Sequence, residues 1–248
     1  MNKFPLSIPD LSRPILALDS STVAFSCALH LGADKQPLSR IYRSERGAKH
    51  TSVLLPLIDE LFSLAGIDFA DLAGIVVGIG PGGFTGLRVS AAAASAFASA
   101  WDLPLGRVSS LGILAASAGD FYDLGQERIL GALDARMDEV YCGFYAYSAG
   151  VWSQIEPDRL LSKAEFSDLV AAGGYSAVLG SGGEFLLADR TDRNSFGERI
   201  FPQAIPDIGK VFALWDLVTW QDGKEPVELN YLRNEVADKS VFSRARGV

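Results

Sequence analysis

Short apolar runs alternate with polar and glycine-rich breaks along the first hundred residues. Ile15-Leu16-Ala17-Leu18 has strand length and ends in Asp19-Ser20-Ser21-Thr22. Residues 23–31 read as a second strand, Gly32-Ala33-Asp34 as its turn and 38–42 as a third strand, so the chain opens as a meander. Over 51–65 the apolar positions Val53, Leu54, Leu57, Ile58 and Leu61 recur at helical spacing, and Gly66 is a stop signal. A strand over 74–79 follows, then a glycine-dense turn, then an alanine-rich helix running to Trp101. From Pro104 the pattern starts again. Residues 109–118 read as a helix, 129–134 and 140–147 as strands, and 152–161 are mixed. Ser162 with Glu165 forms a capping box for a helix to Ala172, and Ala177-Val178-Leu179 is a strand that runs into Gly180-Ser181-Gly182-Gly183. Val211, Phe212, Leu214, Trp215 and Val218 make 208–221 a last helix, and 226–236 read as an extended tail. The second unit loosely echoes the first, which predicts two α/β lobes related by duplication. The expected division is a loose N-terminal extension (1–14), an N-terminal lobe (15–106) that helix 208–221 could complete, a C-terminal lobe (107–207) and a tail (222–248).

Composition narrows the class. A chain of 248 residues can bury a real core, as one large domain or two small lobes. No window has the apolar length of a membrane span, and residues 1–14 lack the charged-then-apolar order of a signal peptide. Cys27 and Cys142 lie in apolar, strand-like surroundings, which predicts buried thiols in a reducing cytoplasm. His30 and His50 are too few and too far apart for a self-contained histidine metal site. The net charge of −8 argues against autonomous nucleic-acid binding, so a partner would have to supply most of any grip on RNA.

Chemistry could reside in a few places. Gly78-Ile79-Gly80-Pro81-Gly82-Gly83-Phe84-Thr85-Gly86-Leu87-Arg88 joins a strand to a helix N-terminus. Its glycines permit close backbone approach, but no Gly-Lys-Ser/Thr closes it as a Walker A loop. Gly80, Gly82, Thr85, Gly86 and Arg88 are the expected structural core of this loop, whether it cradles a ligand or only tightens a turn. Asp19, Ser20, Ser21 and Thr22 could meet phosphates and orient a hydrated Mg²⁺, or form an Asx turn inside a hairpin. Gly180, Ser181 and Gly182 could likewise cradle a nucleotide or be a plain loop. His50 has no evident nucleophile to serve, and the acidic centre of 134–141 fits a solvated hairpin turn better than a metal site.

Taken together, residues 15–21, Lys49-His50-Thr51 with Leu54-Leu55-Pro56, 78–88, 133–141, and Pro226 with 231–237 resemble the TsaB (YeaZ) family over nearly the whole chain after Ser12. The resemblance implies a two-lobed actin/Hsp70/sugar-kinase-like fold, with mixed sheets flanked by helices. It implies a subunit with no activity alone, working with the catalytic paralog TsaD and the ATPase TsaE. That complex places a threonylcarbamoyl group on the adenosine beside the anticodon of tRNAs reading codons that begin with A. TsaD carries a His-x-x-x-His metal pair after its glycine loop, and Ser110 and Leu114 stand at the matching positions here. Neither replaces imidazole as a ligand, so no metal is expected. No cofactor is expected to be tightly bound, while ATP or ADP could be held in the complex. The alternative is an independent nucleotide-dependent kinase-like enzyme of the same fold. Expected partners are a TsaD-like paralog, a TsaE-like ATPase, a second copy when alone, and tRNA only through the complex, with no membrane. Leu54, Leu57, Ile58 and Leu61 on one helix, with Ala91, Ala94, Ser95 and Ala98 on the next, are the candidate partner interface.

Overall fold

The computed structural model describes residues 8–9, 11–32, 35–43, 50–188 and 199–233. The first sheet begins with β1 (Ile15–Asp19), β2 (Ala24–His30) and β3 (Leu38–Arg43), an antiparallel meander. Helix α1 (His50–Ala65) leads to β4 (Gly74–Gly78), and α2 (Phe84–Ala100) leads to β5 (Leu105–Val108). β4 lies parallel to β1, and β5 parallel to β4. Helix α3 (Ser110–Ala116) crosses into the second unit, where β6 (Glu127–Arg136), β7 (Glu139–Ser148) and β8 (Val151–Ser162) form another antiparallel meander. Then come α4 (Lys163–Ala171), β9 (Ala177–Leu179), α5 (Gly183–Ala188) and β10 (Ile200–Phe201), with β9 parallel to β6 and β10 parallel to β9. The spatial orders β5-β4-β1-β2-β3 and β10-β9-β6-β7-β8 are the same order used twice. A final strand, β11 (Thr219–Gln221), extends the first sheet antiparallel to β5.

Strand alternation distributes the cores. Every residue of β1, β2 and β4 is buried, as in central strands covered on both faces. Leu16 and Leu18 point one way, into a core with Leu54, Ile58 and Leu61 of α1 and Ala94 and Ala98 of α2. Ile15 and Ala17 point the other way, into a core shared by the two units, with α3, Ile129 and Leu133 of β6, Tyr145 and Leu179. α4 and α5 close the far face of the second sheet through Phe166, Val170 and Leu186. Cys27 and Cys142 are buried, and burial pushes both thiols up to about 12.

Several expectations need correction. Residues 208–221 are not an α-helix. Ile208–Leu217 is 3₁₀-helical with a kink at Leu214, and its buried residues Ile208, Val211 and Leu214 recur every third position, the period of that helix. The residues after it leave the helix to pair the open edge of β5. The mixed stretch 152–161 lies within the twelve-residue edge strand β8. Ser109 lies outside α3 as its N-cap, and the segment after Ala116 turns 3₁₀. The capping box forms as read: Ser162 Oγ accepts from Glu165 N at 3.2 Å, and Glu165 Oε2 accepts from Ser162 N at 2.8 Å. The N-terminal segment is not loose from Leu11 onward. The Leu11 carbonyl is 2.8 Å from His30 Nε2, and Pro14 O accepts from Ala73 N at 2.8 Å. The expectations for 1–7, 45–49, 234–237 and the rest of the tail lie outside the described residues.

Candidate functional site

The turn after β1 and the glycine loop after β4 are one unit. Asp19 is fully buried; its Oδ1 accepts from Ser21 N at 2.9 Å and Ser21 Oγ at 2.7 Å, and its Oδ2 accepts from Ser110 Oγ at 2.6 Å. Ser110 also receives the Gly80 amide at 3.1 Å and donates its own amide to Gly80 O at 2.8 Å. Ser20 Oγ donates to Gly86 O at 2.6 Å and accepts from Ser90 N at 3.3 Å. Ser21 O accepts from Gly83 N at 2.6 Å, and Thr22 Oγ1 accepts from Ala24 N at 3.2 Å in a local turn. The glycines are needed for this closeness. A Cβ on Gly82 would sit 2.2 Å from Ser21 O, and one on Gly78 would sit 1.9 Å from Asp19 Oδ2. Asp19, Ser20 and Ser21, read as phosphate ligands, are thus brought to the glycine loop, while Thr22 closes a local turn, and these polar groups are spent on protein partners.

Gly180-Ser181-Gly182 repeats the arrangement at the end of β9. Gly180 has φ +103°, and a Cβ there would lie 2.4 Å from Ala132 O. Gly182 N donates to Ala132 O at 3.0 Å, and Ser181 Oγ accepts from Asp134 N at 3.1 Å. In each unit the loop after the fourth strand packs onto the end of the first. Leu114 is fully buried, and a Cβ on Gly180 would be 2.6 Å from its Cδ2. Ser110 and Leu114 are therefore a hydrogen-bond relay and a core contact. Among the described residues no cluster of three or more His, Cys, Asp or Glu could hold a metal ion.

A second centre lies at the seam between the units, with no forewarning in the sequence reading. Asp158, in β8, accepts from Ser109 Oγ at 2.5 Å, Gln154 Nε2 at 3.0 Å, Asn230 Nδ2 at 3.2 Å and Tyr145 OH at 3.3 Å. These donors are neutral, and burial pushes the carboxyl up to about 6. Burial also raises the Tyr145 phenol. The turn between β6 and β7 holds Arg136, Met137 and Asp138 at φ 65°, 54° and 60°, three consecutive side chains in the left-handed region. Arg136 N donates to Asp134 Oδ1 at 2.8 Å. Lys163 Nζ, 2.7 Å from Asp138 Oδ1, holds that carboxyl below its usual range. The extended tail reaches both centres. Asn230 N donates to Ile79 O at 2.8 Å; Tyr231 packs on Phe84 and receives Arg88 Nε at 3.3 Å; Arg233 pairs with Glu139 and donates to Arg136 O at 3.2 Å. Arg88 lies over the Phe84 ring at 3.6 Å, and Thr85 is exposed. The three motif segments that are far apart in sequence therefore meet in space.

The helix residues expected to face a partner mostly face inward. Leu54, Ile58, Leu61, Ala91, Ala94 and Ala98 are buried, while Leu57 and Ser95 are half-buried. The apolar stripe is the side that covers the first sheet, as amphipathic helices on sheets do. What α1 leaves outside is Leu55 and Leu64, and α2 leaves Ala92, Ala96 and Ser99. Beside them a groove of about 660 Å³ runs between Leu55, Asp59, Phe62, Phe69 and Phe97.

The repeated strand order, with helices on the mixed sheets and a core shared at the seam, defines a two-lobed α/β protein. A family model described as TsaD, tRNA N6-adenosine threonylcarbamoyltransferase, matches residues 44–182. The chain is 37% identical to the tRNA threonylcarbamoyladenosine biosynthesis protein TsaB of Haemophilus influenzae, over 93% of this chain and 98% of that one. It is 32% identical to the Escherichia coli TsaB protein, over 92% of this chain and 97% of that one. The solved structure of YeaZ from Pseudomonas aeruginosa superposes with a TM-score of 0.72 at 30% identity, covering 88% of this chain and all of that one. The chain belongs to the TsaB (YeaZ) family.

Proposed function

We propose that this chain is a non-catalytic partner of a TsaD-like transferase in tRNA threonylcarbamoyladenosine synthesis. The observation that carries the reading is the fate of Ser110 and Leu114, one relaying Asp19 to the glycine loop and the other packed in the shared core. At these positions the catalytic paralog needs two metal ligands, and activation of a reactant by a metal requires them. The likeness to TsaB proteins along nearly their whole length supports the same pathway. A TsaE-like ATPase completes the assembly. The chain works in the cytoplasm and forms a homodimer when alone. It meets tRNA only through the complex, because its net charge of −8 repels a phosphate backbone. The outer faces of α1 and α2 are the surface for the sister fold, with Leu55 and Leu64 exposed there. The filled Asp19 turn argues against nucleotide binding by the isolated chain. Any ATP or ADP is held by the partners.

Reconstitution tests the reading. Purified chain, TsaD-like paralog and TsaE-like ATPase are mixed with tRNA and the threonylcarbamoyl donor, and each component is omitted in turn. Modification should require this chain and disappear without the paralog. Phosphoryl transfer from ATP by this chain alone would establish the kinase-like alternative instead, and threonylcarbamoyl transfer by this chain alone would overturn the non-catalytic reading.

A further inference from the structure

The tail grips both the glycine loop and the β6–β7 turn, and the way it does so is specific. Its start is pinned to the first sheet, where Gln221 Nε2 donates to Glu225 O at 2.9 Å and Pro226 O at 3.2 Å. Asn230 then divides its bonds between the units: its amide goes to Ile79 O of the glycine loop, and its side chain goes to Asp158 Oδ2 of β8. Tyr231 lies against Phe84 and Arg88, at the start of α2. Two residues on, Arg233 engages the β6–β7 turn through Glu139, the Arg136 carbonyl and, at 3.3 Å, Met137 Sδ. That turn is the segment with three left-handed side chains in succession, a conformation that persists only when its surroundings impose it.

We propose that residues 226–233 act as a clasp that couples the glycine loop of the first lobe to the β6–β7 turn of the second. The inference concerns this chain's own mechanics and stands whether or not the complex is the one proposed above. The shared core beneath the seam is apolar, whereas the clasp is a short row of polar and aromatic contacts. Such rows form the low-stability units of a fold and open before the core does. A coupling of this kind is reciprocal: loosening either end must loosen the other.

Hydrogen exchange on the full chain at neutral pH tests this. Arg233→Ala removes contacts to the β6–β7 turn alone. If the clasp couples the lobes, exchange rises about tenfold in 134–141 and also in 79–88, the change that losing one charge-assisted hydrogen bond brings. Tyr231→Ala removes the contacts to Phe84 and Arg88, leaves the Arg233 contacts in place, and should raise exchange in 134–141 by a similar factor. Lys224→Ala breaks the exposed pair with Asp102, which spans no seam, and should change neither segment. If Arg233→Ala fails to fold, Arg233→Lys keeps the charge without the two-pronged fork and is read the same way. Exchange that rises only where each altered side chain itself touches would overturn the proposal and make the tail a passenger.

Discussion

Gly82→Ala is the sharpest test of the idea that the glycine loop exists to meet the protein's own β1 turn. The added Cβ would stand 2.2 Å from Ser21 O and 2.8 Å from Ser21 Cβ. Ordinary contact begins near 3.5 Å, so loop and turn must separate by about 1 Å. Ser21 has little room to yield, because its amide and hydroxyl are both held by Asp19 Oδ1. Overpacking of this kind costs about 1–3 kcal/mol. The Gly83 N to Ser21 O bond, 2.6 Å long, is stretched with it, adding about 1 kcal/mol. Reduced freedom of the unfolded chain returns about 0.5 kcal/mol. The net is a loss of about 1.5–3.5 kcal/mol, or about 3–14 °C in melting temperature for a chain of this size. Calorimetry on the variant beside Gly125→Ala provides the scale, since a Cβ on Gly125 meets nothing within 4 Å. If Gly82→Ala melts within 1 °C of the parent, the loop does not press on Ser21 and the ligand-cradle reading of these glycines returns.

Other outcomes follow from burial and electrostatics. Ala94→Arg places a charge in the sealed core under α2 and should cost more than about 4 kcal/mol, giving insoluble protein, while exposed Ala92→Arg should stay within about 0.5 kcal/mol. Ala92→Arg is therefore the variant that asks about pairing, and sedimentation should show a loss of self-association with the fold intact. Asp158 has a folded pKa of about 6 against 3.8 unfolded, so the native state holds the extra proton. Its contribution is full at low pH and is lost as pH rises from about 4 to 6, by up to about 3 kcal/mol. The stability difference between parent and Asp158→Asn across that window should change with this sign, and a flat difference would refute it. Ser162→Ala breaks the capping box of α4 and should lower stability by about 1 kcal/mol in urea titrations, with no effect on α1 or α2.

The elements legible in the sequence are those whose cause is local. The Ser162–Glu165 box sets its own helix start, and the stripe on α1 repeats often enough to declare a helix whatever lies beneath it. The stripe could not declare what lies beneath it. An apolar face looks the same whether it covers a sheet of the same chain or a second protein, and here it covers the sheet. Residues 208–221 failed for a related reason. Their apolar spacing fits a period of three as well as 3.6, and the open edge of β5, more than a hundred residues away in sequence, converts the last of them to a strand. Glycine density in 78–86 correctly announced close approach, but the approaching group is Ser21, some sixty residues upstream. A phosphate and a carbonyl make the same demand on a backbone, namely the absence of a Cβ. Asp158 had no local mark at all. Its burial arises because the N-cap of α3, β7, β8 and the tail converge on one carboxyl, each supplying one neutral donor. Convergence of that kind is a property of topology, and the repeated strand order that creates it appears only when both units are folded against each other. The residues that resemble a family were legible as a set for the same reason that their roles were not: the glycine loop, the β6–β7 turn and the tail are tied to one another across the seam, and only the contacts say how.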